Sequence, residues 1–373
     1  HTMTTPITGG YVSADGHVVE PADLWTSRMD KRFRDRAPHV ESRPEGDYYI
    51  IDGLNPLPVG LEGVTMEDKL AGKVTKFIGR HAETRPGAND PQARLADQDM
   101  DHLRAEVIYP GAGLFLSVAP DPDYQRECFR VYNDWLSEFC AAAPDRLLGV
   151  GLLPMRGPVE WAIEEAQRVA TKGLRSVSIP CEIAGSPYRD PGYDPLWAAL
   201  QELGVPVSLH VGTDEAFYTK ADRLGLGVAF VDSKICSMER AMAGLIWGAV
   251  AKRYPKLRFV LAEGGVGWLA SVLRTMDHYW SDHQHWMEPK TDELPSTYFK
   301  RQFWATFEDD RAGILTRELV GVDRLLWGSD YPHTEGTFPY SQEQVTNDFL
   351  GVPEGEVYQM VAGNAAKLYE LDA

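Results

Sequence analysis

The sequence predicts an α/β protein, a (β/α)8 TIM-type barrel with an N-terminal insertion after the first strand. Three observations lead there. Eight short apolar runs alternate with amphipathic segments from Tyr11 onward, which implies parallel pairing with helical crossovers. Histidines and carboxylates recur where those runs end, the place where a barrel of this kind carries its site. The rival, an open doubly wound sheet, calls for a Gly-x-Gly-x-x-Gly turn after the first strand, and Asp15-Gly16-His17 stands there instead.

Residues 11–14 read as the first extended run. Residues 20–90 follow as a polar insertion punctuated by Pro38, Pro44, Pro56, Pro58 and Pro86, and Tyr48-Tyr49-Ile50-Ile51-Asp52-Gly53 within it reads as half of a small hairpin. The insertion is expected to serve as a lid or an oligomer contact. Leu95, Met100 and Leu103 space a helical segment over 94–104, ahead of a buried strand at 105–109 that Pro110 and Gly111 stop. A long helix is expected over 123–143, ended by Pro144. The alternation then continues with strands at 146–154, 176–179, 206–210, 257–263, 303–307 and 325–328. Helices are expected between them at 159–172, 194–203, 233–254, 268–279 and 312–319, with closing segments around 357–360 and 365–371. The loop over 211–231 holds Gly225 and Gly227 as candidate hinges. All of this fits one domain over 4–373.

Composition narrows the partners. With 37 Lys and Arg against 55 Asp and Glu, the net charge of −18 disfavours nucleic acid and anionic membrane surfaces. The four cysteines lie in apolar stretches without Cys-x-x-Cys spacing and read as reduced core thiols, so a cytoplasmic location is expected. His1-Thr2-Met3 resembles a tag remnant rather than a signal peptide, and no apolar run reaches the length of a membrane span.

The polar residues at strand ends form a short, coherent set. Asp15 and His17 follow the first strand, two residues apart and so on one side of it. His210 ends the fifth, Glu263 ends the sixth, and Asp330 follows the eighth, with His333 just beyond. Imidazoles and carboxylates converging on one cavity suit a divalent first-row metal with a position left for substrate. Tyr109, Phe307 and Trp327, near strand ends, are candidates for packing against a flat substrate. Glu308 stands either at the pocket rim or as the cap of the next helix. The stretch with His278, His283 and His285 lies beyond the sixth-strand helix and reads as a solvent or subunit-contact surface.

Taken together, Asp15-x-His17, His210, Glu263-Gly-Gly-x-Gly-Trp268 and Trp327-Gly-Ser-Asp330-Tyr-Pro-His333 resemble the amidohydrolase-related branch of the amidohydrolase superfamily. That branch includes aminocarboxymuconate semialdehyde decarboxylase and the resorcylate and carboxyvanillate decarboxylases. The resemblance spans 11–371 and implies one divalent metal ion on Asp15, His17, His210 and Asp330, with Asp330 also moving protons. Two departures stand out. An acidic first ligand replaces the His of the semialdehyde decarboxylase, as in the resorcylate type, which favours Mn²⁺ over Zn²⁺ and leaves Fe²⁺ open. Glu263 stands where the decarboxylases carry His. The resemblance implies a homodimer and a small-molecule substrate. It also implies non-oxidative decarboxylation of a small aromatic or unsaturated acid, with Asp330 and either Glu263 or His333 delivering the proton to carbon. A metal-dependent hydrolase of an amide, lactone or carbon–carbon bond, built on the same residues, is the alternative.

Overall fold

A computed structural model describes residues 9–60, 70–72, 79–215, 218 and 225–371. The expected tag remnant, parts of the insertion and most of 216–224 lie outside the described residues. Eleven strands are described: β1 (Tyr11–His17), β2 (His39–Arg43), β3 (Gly46–Ile50), β4 (Leu57–Pro58), β5 (Leu103–Tyr109), β6 (Leu147–Leu152), β7 (Ser176–Pro180), β8 (Val207–His210), β9 (Phe259–Ala262), β10 (Phe303–Phe307) and β11 (Leu325–Trp327). Eight of them form one sheet in the order β1-β5-β6-β7-β8-β9-β10-β11, each pair parallel. The expected barrel is therefore present. Among the described residues, no helix is long and apolar enough to cross a membrane.

The ring closes through the segment after β11, because β11 itself is too short to span β1. Asp330 N donates to Asp15 O, Ser329 N donates to Ser13 Oγ, and Gly16 pairs with Tyr331 across the seam. Glycine at 328 is required there, since a Cβ would lie 2.5 Å from that of Asp15. On the other side of β1, a Cβ on Gly16 would lie 2.1 Å from Glu106 Oε1. Glu106 Oε2 accepts from Arg94 Nε at 2.7 Å, and Arg94 Nη1 donates to His17 O. This buried ion pair thus fixes the backbone of β1 at the point where its polar pair projects.

The wall is held by apolar packing between strands and outer helices. Phe259 stacks on Phe303 at 4.9 Å, and Trp197 of the helix Asp194–Leu203 meets Phe259 edge-on. Each such fully buried side chain contributes about 1.5–3 kcal/mol.

Several boundaries differ from the sequence expectation. β1 runs on through His17, so Asp15 and His17 lie within the strand rather than beyond it. β5 starts at Leu103, because the preceding helix, Pro91–Met100, ends earlier than its apolar spacing suggested. The helix expected over 233–254 is three pieces: a π-helical turn Asp232–Ser237, a helix Met238–Trp247 and a helix Val250–Arg253. Ala249, at φ 57°, breaks the last two apart. The insertion carries an antiparallel sheet in the order β2-β3-β4, of which the expected half-hairpin supplies β3.

Candidate metal centre

Asp15 and His17 project from β1 into the barrel mouth, and both are fully buried. Asp15 Oδ2 accepts from Thr306 Oγ1 on β10 at 2.8 Å, while Oδ1 has no hydrogen-bond partner. The same Thr306 Oγ1 accepts from Glu263 N at 2.7 Å, so one hydroxyl ties β1, β9 and β10 together at the site. His17 Nδ1 lies 2.9 Å from Pro110 O, and His210 Nδ1 lies 3.0 Å from Val211 O. A carbonyl only accepts, so each ring holds its proton on Nδ1 and can turn a bare Nε2 inward.

Those two Nε2 atoms meet the Asp15 and Glu263 carboxylates at one point. Each is 3.3 Å from Glu263 Oε2 and 3.6 Å from Asp15 Oδ1, and His17 Nε2 is 3.3 Å from Asp330 Oδ1. Among the described residues, the groups able to hold one metal ion are Asp15, His17, His210 and Glu263, overlapping with His17, Glu263, Asp330 and His333. The buried atoms without a hydrogen bond include His17 Nε2, His210 Nε2, Asp15 Oδ1 and Asp330 Oδ2. Buried lone pairs facing lone pairs repel unless a cation lies between them, so this donor set fits a divalent ion. Two imidazoles with carboxylates form the mixed nitrogen and oxygen set that Mn²⁺, Zn²⁺ or Fe²⁺ accepts.

The electrostatics carry the same demand for positive charge. Burial pulls the His17 imidazole down, but Asp330 and Glu263 outweigh it and push it well above its ordinary value. Burial raises the Glu263 carboxyl, yet Lys234, His17 and His210 hold it well below the usual carboxylate range. For Asp330, burial is again opposed, by His333 and His17, and the net direction is down. His333 Nδ1 lies 2.9 Å from Asp330 Oδ1, its ring stacks on His17 at 4.0 Å, and Asp330 pushes it up against the pull of burial.

Glu263 and Asp330 both occupy left-handed backbone, at φ 60° and 52°, a conformation that costs a non-glycine residue of order 1 kcal/mol or more. The surroundings hold Glu263 there. Asp310 Oδ2 accepts from Val266 N and Gly267 N, and Trp268 Nε1 donates to Gly264 O and Gly265 O. The Glu-Gly-Gly-x-Gly-Trp stretch is thus a brace for one carboxylate.

Asp310 also accepts from Gly313 N, so it, and not Glu308, caps the helix Arg311–Val320. Glu308 instead has a buried, unpartnered Oε1, and burial, then Asp330 and Glu263, push its carboxyl well up against Lys234. The three aromatic residues do not line an open face. Phe307 is fully buried and packs on Phe349 at 6.2 Å, while Trp327, paired with it in register, packs on Tyr11 at 5.6 Å. Tyr109 lies beside the imidazoles, 4.7 Å from the His210 ring, with its hydroxyl 2.9 Å from Ser208 Oγ inside the barrel. It forms a floor.

Sequence reasoning missed Lys234, whose Nζ lies 3.4 Å from Glu263 Oε1 and 3.6 Å from Glu335 Oε2. A lysine in an apolar helical stretch gives no signal of its own. Elsewhere, His278, Tyr279 and Trp286 are exposed, with His278 3.6 Å from Asp282, as a surface reading expects. A cavity of ≈ 550 Å³ lies at the strands' N-terminal end, lined by Gly10, Tyr11 and Arg104 among others, away from this cluster.

The chain is similar to known proteins over most of its length. It is 28% identical over 340 residues to gamma-resorcylate decarboxylase of Rhodococcus jostii (strain RHA1), covering 83% of this chain and 98% of that protein. It is 25% identical over 290 residues to 2-amino-3-carboxymuconate-6-semialdehyde decarboxylase of Dictyostelium discoideum, covering 76% and 77%. Its fold superposes on an amidohydrolase from Mycobacterium avium subsp. paratuberculosis K-10 with a TM-score of 0.81 at 23% identity, over 97% and 100% of the two chains. It also superposes on a manganese-bound dihydroxybenzoic acid decarboxylase from Polaromonas sp. JS666, with a TM-score of 0.64 at 20% identity over 98% of each chain. The Amidohydrolase family model matches residues 17–371, and a match of that extent, over a barrel that gathers its polar residues at the strand ends, means that the chain belongs to the amidohydrolase family.

Proposed function

We propose that this protein is a metal-dependent carbon–carbon lyase, a non-oxidative decarboxylase of a small aromatic or unsaturated carboxylic acid. The convergence of His17 Nε2, His210 Nε2, Glu263 Oε2 and Asp15 Oδ1 on one buried point, with Asp330 Oδ1 3.3 Å from His17 Nε2 beside it, carries the reading. The decarboxylases named among its relatives supply the reaction type. Asp15, His17, His210 and Asp330 would hold the ion; Glu263 is grouped with the first three, and Asp330 joins through its approach to His17 and Glu263. Bound there, Mn²⁺ or Zn²⁺, with Fe²⁺ also suited, supplies Lewis-acid stabilisation of the negative charge that develops as carbon dioxide leaves. Manganese is the first choice, in view of the acidic Asp15 and the manganese in the Polaromonas relative.

The chain's own residues orient and move protons. Thr306 aims Asp15, and the carbonyls of Pro110 and Val211 aim the two imidazoles. Asp330, ionised and 2.9 Å from His333, moves the proton that is delivered to carbon, drawing it from the His333 imidazole on the more open side. The site lies in a single domain over 4–373, of which 20–90 is a lid or dimer contact. We take the protein to be a cytoplasmic homodimer with a small-molecule substrate and no nucleic-acid or membrane partner.

The test is carbon dioxide release by manganese-loaded protein from 2,6-dihydroxybenzoate and a panel of hydroxylated or unsaturated acids. Release that disappears in Asp330→Asn is expected. Glu263 favours a second reading, since a carboxylate in place of His is a familiar base for water. Incorporation of labelled solvent oxygen into product without release of carbon dioxide would make the protein a hydrolase.

A further inference from the structure

Lys234 projects from the π-helical turn Asp232–Ser237, which lies between the helices Leu226–Val231 and Met238–Trp247. Its ammonium stands 3.4 Å from Glu263 Oε1 and 3.6 Å from Glu335 Oε2. A hydrogen bond to a carboxylate closes at about 2.7–3.2 Å, so both are loose ion pairs, and among the described residues they leave the ammonium's donors without a closed hydrogen bond. Side-chain exposure rises from 7% at Glu263 to 26% at Lys234 and 45% at Glu335. The ammonium therefore stands between the buried cluster and the outside.

The Glu263 carboxylate bridges two positive demands. Its Oε2 faces the point where the imidazoles meet, and its Oε1 faces Lys234. The spacing between that point and the ammonium is thus one that a single carboxylate spans. An incoming carboxylate also needs a partner here. The three carboxylates Asp15, Glu263 and Asp330 outweigh one divalent ion. Among the described residues, Lys234 is the lysine or arginine ion-paired with the cluster.

We propose that Lys234 is the substrate-binding residue that takes the substrate's carboxylate, displacing Glu335, and so brackets that group between its ammonium and the metal point. The inference rests on the proposed function in taking an organic acid as substrate.

The probes are salicylate and its uncharged isostere salicylamide, titrated calorimetrically into manganese-loaded protein. Wild type is expected to prefer salicylate. Lys234→Met weakens salicylate by about 10- to 100-fold, as loss of a charge-assisted hydrogen bond implies, and leaves salicylamide and metal content unchanged. Lys234→Arg keeps the preference, and Glu335→Gln, at the exposed rim, tightens salicylate by removing its competitor. Equal weakening of both probes, absence of a charge preference in wild type, or no tightening in Glu335→Gln overturns the proposal. Loss of metal from Lys234→Met instead makes Lys234 a positioning residue for Glu263. Charge preference without carbon dioxide release from any acid sinks the decarboxylase reading alone, and release without charge preference sinks Lys234 alone.

Discussion

Thr306 shows how much one hydroxyl can organise. It donates to Asp15 Oδ2 and accepts from Glu263 N, so Thr306→Val keeps the shape and removes both bonds at once. A buried carboxylate oxygen and a buried amide left unpaired cost about 1–3 kcal/mol, and a mis-aimed ligand loses about 10- to 100-fold in metal affinity. Thermal melting of the metal-free protein and a manganese titration measure the two effects, and a variant unchanged in both contradicts this role. The same residues set a pH dependence. Asp330 and Glu263 titrate below their ordinary values, so the stability they contribute is present above about pH 4 and lost as pH falls. His17 and His333 titrate above theirs, so their contribution is complete below about pH 6.5 and lost as pH rises through the raised values. Metal-free protein should melt highest between these limits. Manganese, taking the place of the proton on His17, should flatten the alkaline fall, and melting curves across pH with and without the ion decide it.

Among the elements, the segment after β9 illustrates what could and could not be read in advance. Asp310 serves a helix N-terminus and two amides of the Glu263 brace together. Asp310→Ala should therefore cost about 1–2 kcal/mol, the range of a lost cap, and weaken metal binding besides. The melting temperature and a metal titration report both, and loss of stability with unaltered metal affinity would mean that the brace does not depend on it. Strand positions were legible because short apolar runs with abrupt proline stops leave few alternatives, as at Pro110 after β5. For the same reason Asp15, His17 and His210 could be picked out as strand-end donors. Glu308 and Asp310 were not separable by sequence, since either spacing can precede a helix and only the approach of Val266 and Gly267 selects Asp310. A strand-end position does not by itself say what a ring packs on, and Phe307 is buried against Phe349 and Trp327 against Tyr11. Lys234 was invisible because its partners come from two other loops, at Glu263 and Glu335.

For the whole molecule, closure of the barrel and assembly of the site are one event. The seam that joins residues 328–331 to β1 brings Asp330 to Asp15 and His17. Gly328→Ala forces a Cβ against Asp15, so overpacking of about 1–3 kcal/mol is expected together with loss of metal affinity, read by denaturant melts and metal titration. Destabilisation with metal affinity intact would separate the two. The central claim, that strand ends from around the ring hold one divalent ion, is tested most directly by elemental analysis. Wild type, Asp15→Ala and His210→Ala would be expressed with manganese and zinc both supplied and purified side by side. About one equivalent is expected in wild type, lost in both variants. Metal-free wild type, or variants that keep the ion, would contradict that claim.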